Sequence, residues 1–73
     1  MLGNWVRPWP GESLTGEIVA VSGELLVCRA PGGVEFMVRL ADVRAGRIGV
    51  YRSRGAALLS LNPIPSVATA ALA

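Results

Sequence analysis

Apolar and polar residues alternate along this chain in short runs, and glycine and proline separate the runs. The clearest run is Val34–Leu40. Val34, Phe36, Val38 and Leu40 fall on one face, and Glu35, Met37 and Arg39 on the other, which is the period of two of a half-buried strand. Leu14–Val21 and Glu24–Arg29 read as the two preceding strands, with Ser22-Gly23 as the turn between them. Ala30-Pro31-Gly32-Gly33 is a strong turn signal, because proline presets one φ and glycine supplies a positive one. Ala41–Gly46 reads as a polar connection with room for one 3₁₀ turn. Arg47–Arg52 is the fourth expected strand, and Ala56–Leu61 the fifth, after a Ser53-Arg54-Gly55 turn. No run reads as a long amphipathic helix. Five short strands at this spacing predict an all-β domain, a small five-stranded antiparallel barrel.

The two ends differ from this middle. Residues 1–13 hold Trp5, Arg7-Pro8-Trp9-Pro10 and Gly11, and alternating prolines favour an extended arm. A ladder needs N–H donors that Pro8 and Pro10 lack, so this stretch is not expected to form a central strand. Residues 63–73 carry no charged side chain. Disordered tails are usually polar or charged, so this apolar tail is expected to lie against something apolar. The expected organisation is an N-terminal arm over 1–13, a barrel over 14–62 and a C-terminal tail over 63–73.

The 30–33 turn is expected to pair odd positions of the second strand with even positions of the third. That register sends Leu25 and Val27 inward with Phe36 and Val38, and Leu26, Cys28 and Met37 outward. The expected core is Ile18, Leu25, Val27, Phe36, Val38, Leu40, Ile48, Val50 and Leu59. Apolar residues then lie on both faces, whereas an antiparallel sheet with one wet face normally shows polar residues there. Both faces need cover, from the arms or from another subunit. Trp5, Trp9, Leu26, Met37, Ile64, Val67 and Leu72 are the candidate protein-interface residues.

The order of runs resembles the SH3-like small barrels, including KOW-type modules. Pro10-Gly11-Glu12, Gly16-Glu17-Ile18-Val19, the Gly32-Gly33 turn and the closing Leu40-Ala41-Asp42-Val43 carry the resemblance, over residues 10–62. It implies a small barrel and, from the KOW members, a role in binding RNA.

Composition removes several chemistries. The 73 residues include no His and one Cys, and all seven cations are Arg. A disulfide framework, a Cys/His zinc site and a His-based triad are excluded. Glu17 and Glu35 read as exposed strand charges, not as a catalytic pair, and Cys28 as a small buried hydrophobe. Gly32-Gly33 leads into a strand and not a helix, so no phosphate loop forms there. No enzyme activity, cofactor or metal is expected. With 52% hydrophobic residues, the chain is richer in apolar material than so small a domain easily hides. Its longest uncharged stretch, Gly55–Ala73, is broken by two prolines, so no membrane span is expected. Met1–Pro10 lacks a basic start followed by an apolar stretch, so no signal peptide is expected. A cytoplasmic or virion-associated location follows from that reading.

Charge is uneven along the chain. Residues 1–38 carry two Arg against four Glu, while residues 39–73 carry five Arg against Asp42 alone. Arg39, Arg44, Arg47, Arg52 and Arg54, with Tyr51 among them, form a candidate polyanion-binding edge. Two functions are therefore expected in order. The first is a structural or interaction subunit docked in a homo- or hetero-oligomer, for example a phage particle decoration, connector or tail component. The alternative is a nucleic-acid-binding barrel that uses the arginine edge.

Overall fold

A computed structural model of the chain describes residues 2–8 and 15–64. Five strands form one antiparallel sheet: β1 (Trp5–Arg7), β2 (Gly16–Ser22), β3 (Leu25–Arg29), β4 (Glu35–Arg39) and β5 (Gly49–Tyr51). Two short helices join them, α1 (Leu40–Arg44) between β4 and β5, and α2 (Arg54–Leu59) after β5. The sheet is open, in the order β4-β3-β2-β1-β5. Four of the expected strands correspond to β2, β3, β4 and β5.

Two elements differ from the sequence reading. Trp5–Arg7, read as part of an arm, is an interior strand that pairs with β2 on one side and β5 on the other. The strand stops at Arg7, one residue before Pro8, so the missing proline donor never falls within the ladder. Ala56–Leu61, read as a fifth strand, lies mostly in α2. Ser53 caps that helix by accepting a hydrogen bond from the Ala56 N–H at 3.1 Å, and the Ala and Leu that follow are the strongest helix formers. Leu59, expected in the core, is 69% exposed on α2.

The β3–β4 hairpin corrects the face assignment. Ala30 N–H donates to the Val34 carbonyl, and Gly33 N–H donates to the Ala30 carbonyl. The loop therefore absorbs three residues, Pro31 to Gly33, with Gly33 at φ +93°. A three-residue loop with a left-handed glycine is a standard hairpin closure. An odd loop pairs like parities, so Leu26 faces Val38 and Cys28 faces Phe36. One residue of register moves every side chain to the other face. Leu26 and Cys28 are thus fully buried, while Leu25 is 37% exposed and Val27 half-buried.

The core consists of Val6, Ile18, Leu26, Cys28, Val38, Leu40, Ile48 and Val50, with Phe36, Val43 and Ile64 packed against it. β2 bends as it crosses from β1 to β3. The register shifts between Ile18 and Ala20, so Val19 is the extra residue of a bulge that tightens the twist. Gly16 lets the bend close, because a Cβ there would lie 2.5 Å from the Phe36 ring.

A candidate protein-docking surface on the outer sheet face and the free edge of β4

The outer face of the sheet has two parts of different character. Over β1 and β5 the face opposite Val6 and Val50 carries Trp5, Arg7 and Tyr51, and α2 packs there. Ala57 is fully buried against it, and Tyr51 is 7% exposed. Arg7 fastens the helix: its guanidinium donates to the Leu58 carbonyl and the Ser60 hydroxyl, both at 3.0 Å. A cation at a helix C-terminus satisfies orphan carbonyls and complements the dipole. Ser60 ends α2 in the left-handed region at φ 53°. Trp5 is therefore half-buried in the sheet rather than carried on an arm.

Over β2, β3 and β4 no element among the described residues packs on the corresponding face. Met37 is 63% exposed there, beside its cross-strand partner Val27, with Leu25 and Ala20 completing an apolar strip. An ion pair between Arg29 and Glu35, at 2.9 Å, borders one end of the strip, and Arg39, opposite Leu25, borders the other. The strip runs to the outer edge of β4, which has no strand partner among the described residues. Alongside that edge lies a cleft of about 590 Å³, walled by Pro8, Met37, Val38, Arg39, Arg47 and Ile48.

A second cleft of about 610 Å³ lies between α2 and the segment after it, lined by Ala56, Leu59, Leu61, Pro63 and Ile64 with Arg52 at the rim. Ile64, expected to reach a partner, is half-buried against its own core, and its N–H donates to the Val50 carbonyl at 2.8 Å. That bond covers the outer edge of β5. Leu26, expected on the outer face, is in the core. Met37 is exposed on the face where it was expected. Trp9, Val67 and Leu72 lie outside the described residues.

The arginines are not gathered around Tyr51, whose ring is buried over Gly49. Arg44 pairs with Glu24 at 3.2 Å, and Arg47 with Asp42 at 3.1 Å, both around α1. Arg52 and Arg54 flank Ser53 at the start of α2, and both are exposed. Burial pushes the Cys28 thiol up to about 11 from an ordinary 9.0, so the neutral form dominates at physiological pH and the group is a poor nucleophile. Among the described residues no three Cys, Asp or Glu side chains come together as a metal site. No described helix is long and apolar enough to cross a membrane.

The strip and the free edge share β4, and register explains why the sequence reading found only half of them. Met37 was recognised because β4 alternates cleanly. Leu25 and Val27 fall inside only if the turn pairs odd positions with even ones, and the three-residue loop pairs like with like. The glycine pair after Pro31 was the available signal for a three-residue loop. No family model, curated protein or solved structure matches this chain.

Proposed function

We propose that this chain is a non-enzymatic protein-interaction module of SH3-like build, a small structural subunit that docks on other protein subunits through the outer face of β3 and β4. The observation that carries the reading is the strip of exposed Leu25 and Met37 with half-buried Val27, beside a strand edge that has no partner among the described residues. Exposed contiguous apolar surface rimmed by charge marks interaction sites in soluble domains. Edge strands left open are normally blunted by charged side chains, proline, bulges or cover; β4 has neither proline nor bulge, and its only such device is the pair of end charges Glu35 and Arg39. The pairing of the first strand with the last and the bulge at Val19 support the SH3-like reading. The neutral Cys28 thiol supports a binding role rather than catalysis. The paired state of Arg44 and Arg47 and the burial of Tyr51 weigh against the nucleic-acid alternative.

The test is site-specific photo-crosslinking in cells that make the chain, with the photoreactive residue at position 37 and, as reference, at position 54. Position 37 is expected to give discrete protein adducts, from this chain or another, that position 54 does not give. Equal labelling at both positions, or adducts at 37 that nuclease removes, would overturn the reading.

A further inference from the structure

The free edge of β4 has a pattern that fits itself. Leu40 N–H donates to the Glu24 carbonyl and Ala30 N–H to the Val34 carbonyl, so even-numbered residues of this strand bond inward to β3. In an antiparallel ladder the alternate residues then point their N–H and C=O groups the other way. Those residues are Glu35, Met37 and Arg39. Their side chains are exposed on the outer face, and Arg39 makes no ion pair among the described residues.

We propose that β4 pairs across this edge with β4 of a second copy of the chain, antiparallel and centred on Met37. The inference rests on the protein-docking reading above and names the partner. In this register Glu35 faces the second copy's Arg39, Met37 faces Met37, and Arg39 faces the second copy's Glu35. Opposite charges directly across a strand pair attract, and like charges repel. Sliding the register by two residues leaves one charge opposite Met37 and the other opposite Gly33 or Ala41. Sliding it by four sets Glu35 on Glu35 or Arg39 on Arg39, and parallel pairing in register also sets like on like. Only the Met37-centred arrangement satisfies both charges. It is an isologous two-fold contact and closes on itself.

Two further observations favour a like-with-like contact. The opposite edge of the sheet is not open for a head-to-tail chain, because Ile64 occupies the β5 edge at Val50. The two-fold axis is perpendicular to the sheet, so it joins the Leu25, Val27 and Met37 strips of both copies into one apolar surface on the same side. Arg29, already 2.9 Å from Glu35, then flanks each new charge pair. A five-residue strand contact is small, and the dimer is expected in the weak range, about micromolar or above.

The experiment is sedimentation equilibrium on the full chain, on Arg39→Glu, on Glu35→Arg, and on an equimolar mixture of the two variants. One variant is acidic at both edge positions, and the other is basic at both. The parent is expected to dimerise reversibly, each variant alone about tenfold more weakly or worse, and the mixture at least as well as the parent. Circular dichroism confirms that both variants fold. In addition, Met37→Cys is expected to form a disulfide-linked dimer on mild oxidation, since narrow-pair Cα atoms lie about 5.5 Å apart, within disulfide reach. A monomeric parent up to millimolar concentration overturns the proposal. So does a dimer that both variants form as well as the parent does, because self-association then uses another surface. Either result leaves the docking reading to stand or fall on its own crosslinking test.

Discussion

Replacing Leu26 by alanine, with Leu25→Ala as its neighbour control, tests the face assignment on which the docking surface depends. Leu26 is fully buried in the core opposite Val38, and Leu25 is 37% exposed on the outer face. Truncating a fully buried leucine removes its transfer free energy and leaves a cavity, about 3 kcal/mol together. Truncating the exposed neighbour costs about 1 kcal/mol or less. In a domain of this size each kcal/mol moves Tm by roughly 4–8 °C. Leu26→Ala is therefore expected to melt about 12–24 °C below the parent, and Leu25→Ala about 8 °C or less. Small domains hold only a few kcal/mol in reserve, so the Leu26 variant is measured alongside Leu26→Met, a volume-conserving change that costs less than about 1.5 kcal/mol. Thermal and urea unfolding followed by circular dichroism give the numbers. If Leu25→Ala is the more damaging, the hairpin loop spans an even number of residues and the outer strip consists of core side chains.

Other perturbations read separate parts of the structure. Gly16→Ala puts a methyl into the Phe36 ring and is expected to cost about 1–3 kcal/mol by overpacking, read by urea unfolding. Thr15 is buried with its hydroxyl unpartnered among the described residues, so Thr15→Val is expected to raise the melting temperature, by removing a desolvation penalty of about 1 kcal/mol or more. Arg7→Met is expected to loosen α2 by freeing its C-terminal carbonyls, seen as faster amide exchange at Ser60 and Leu61 while the β3–β4 amides are unchanged. The Cys28 thiol, raised in the folded state to about 11 from 9.0, favours folding fully below pH 9.0. That contribution is expected to be lost as pH rises from 9.0 to about 11, since the unfolded thiol ionises first. Cys28→Ala is expected to flatten this part of the pH–stability curve. Single-stranded nucleic acid is expected to bind weakly or not at all at physiological salt. A salt-dependent micromolar complex that weakens in Arg44→Ala/Arg47→Ala/Arg52→Ala would return the arginine edge to first place.

The strands with clean alternation were legible in the sequence. β4 announces itself through Phe36 and Val38 against Glu35, Met37 and Arg39, and β2 and β3 follow from the turns around them. The faces were harder, because Leu25, Leu26, Val27 and Cys28 are all apolar and hydrophobicity alone cannot choose between two registers. Loop length chose, and it is set by the backbone that Gly33 can adopt. β1 was hidden by its length of three residues and by the prolines beyond it. α2 was hidden because its window is too short for a helical period to show, although Ser53 ahead of an Ala–Leu run is a start signal. The free edge of β4 is a property of sheet order, which depends on β1 entering between β2 and β5. No local pattern in residues 35–39 reveals that order.

The most direct measurement of the central claim, that β4 pairs across its open edge with a second copy of the chain, is amide hydrogen exchange along β4 as a function of protein concentration. Phe36 and Val38 bond inward to β3, and their amides are expected to be protected at every concentration. The amides of Glu35, Met37 and Arg39 point outward. They are expected to exchange freely in dilute solution and to become protected as concentration rises, in step with dimer formation. Outward amides that exchange freely at all concentrations would contradict the account. So would protection already complete in the dilute monomer, which would mean that the chain covers its own edge.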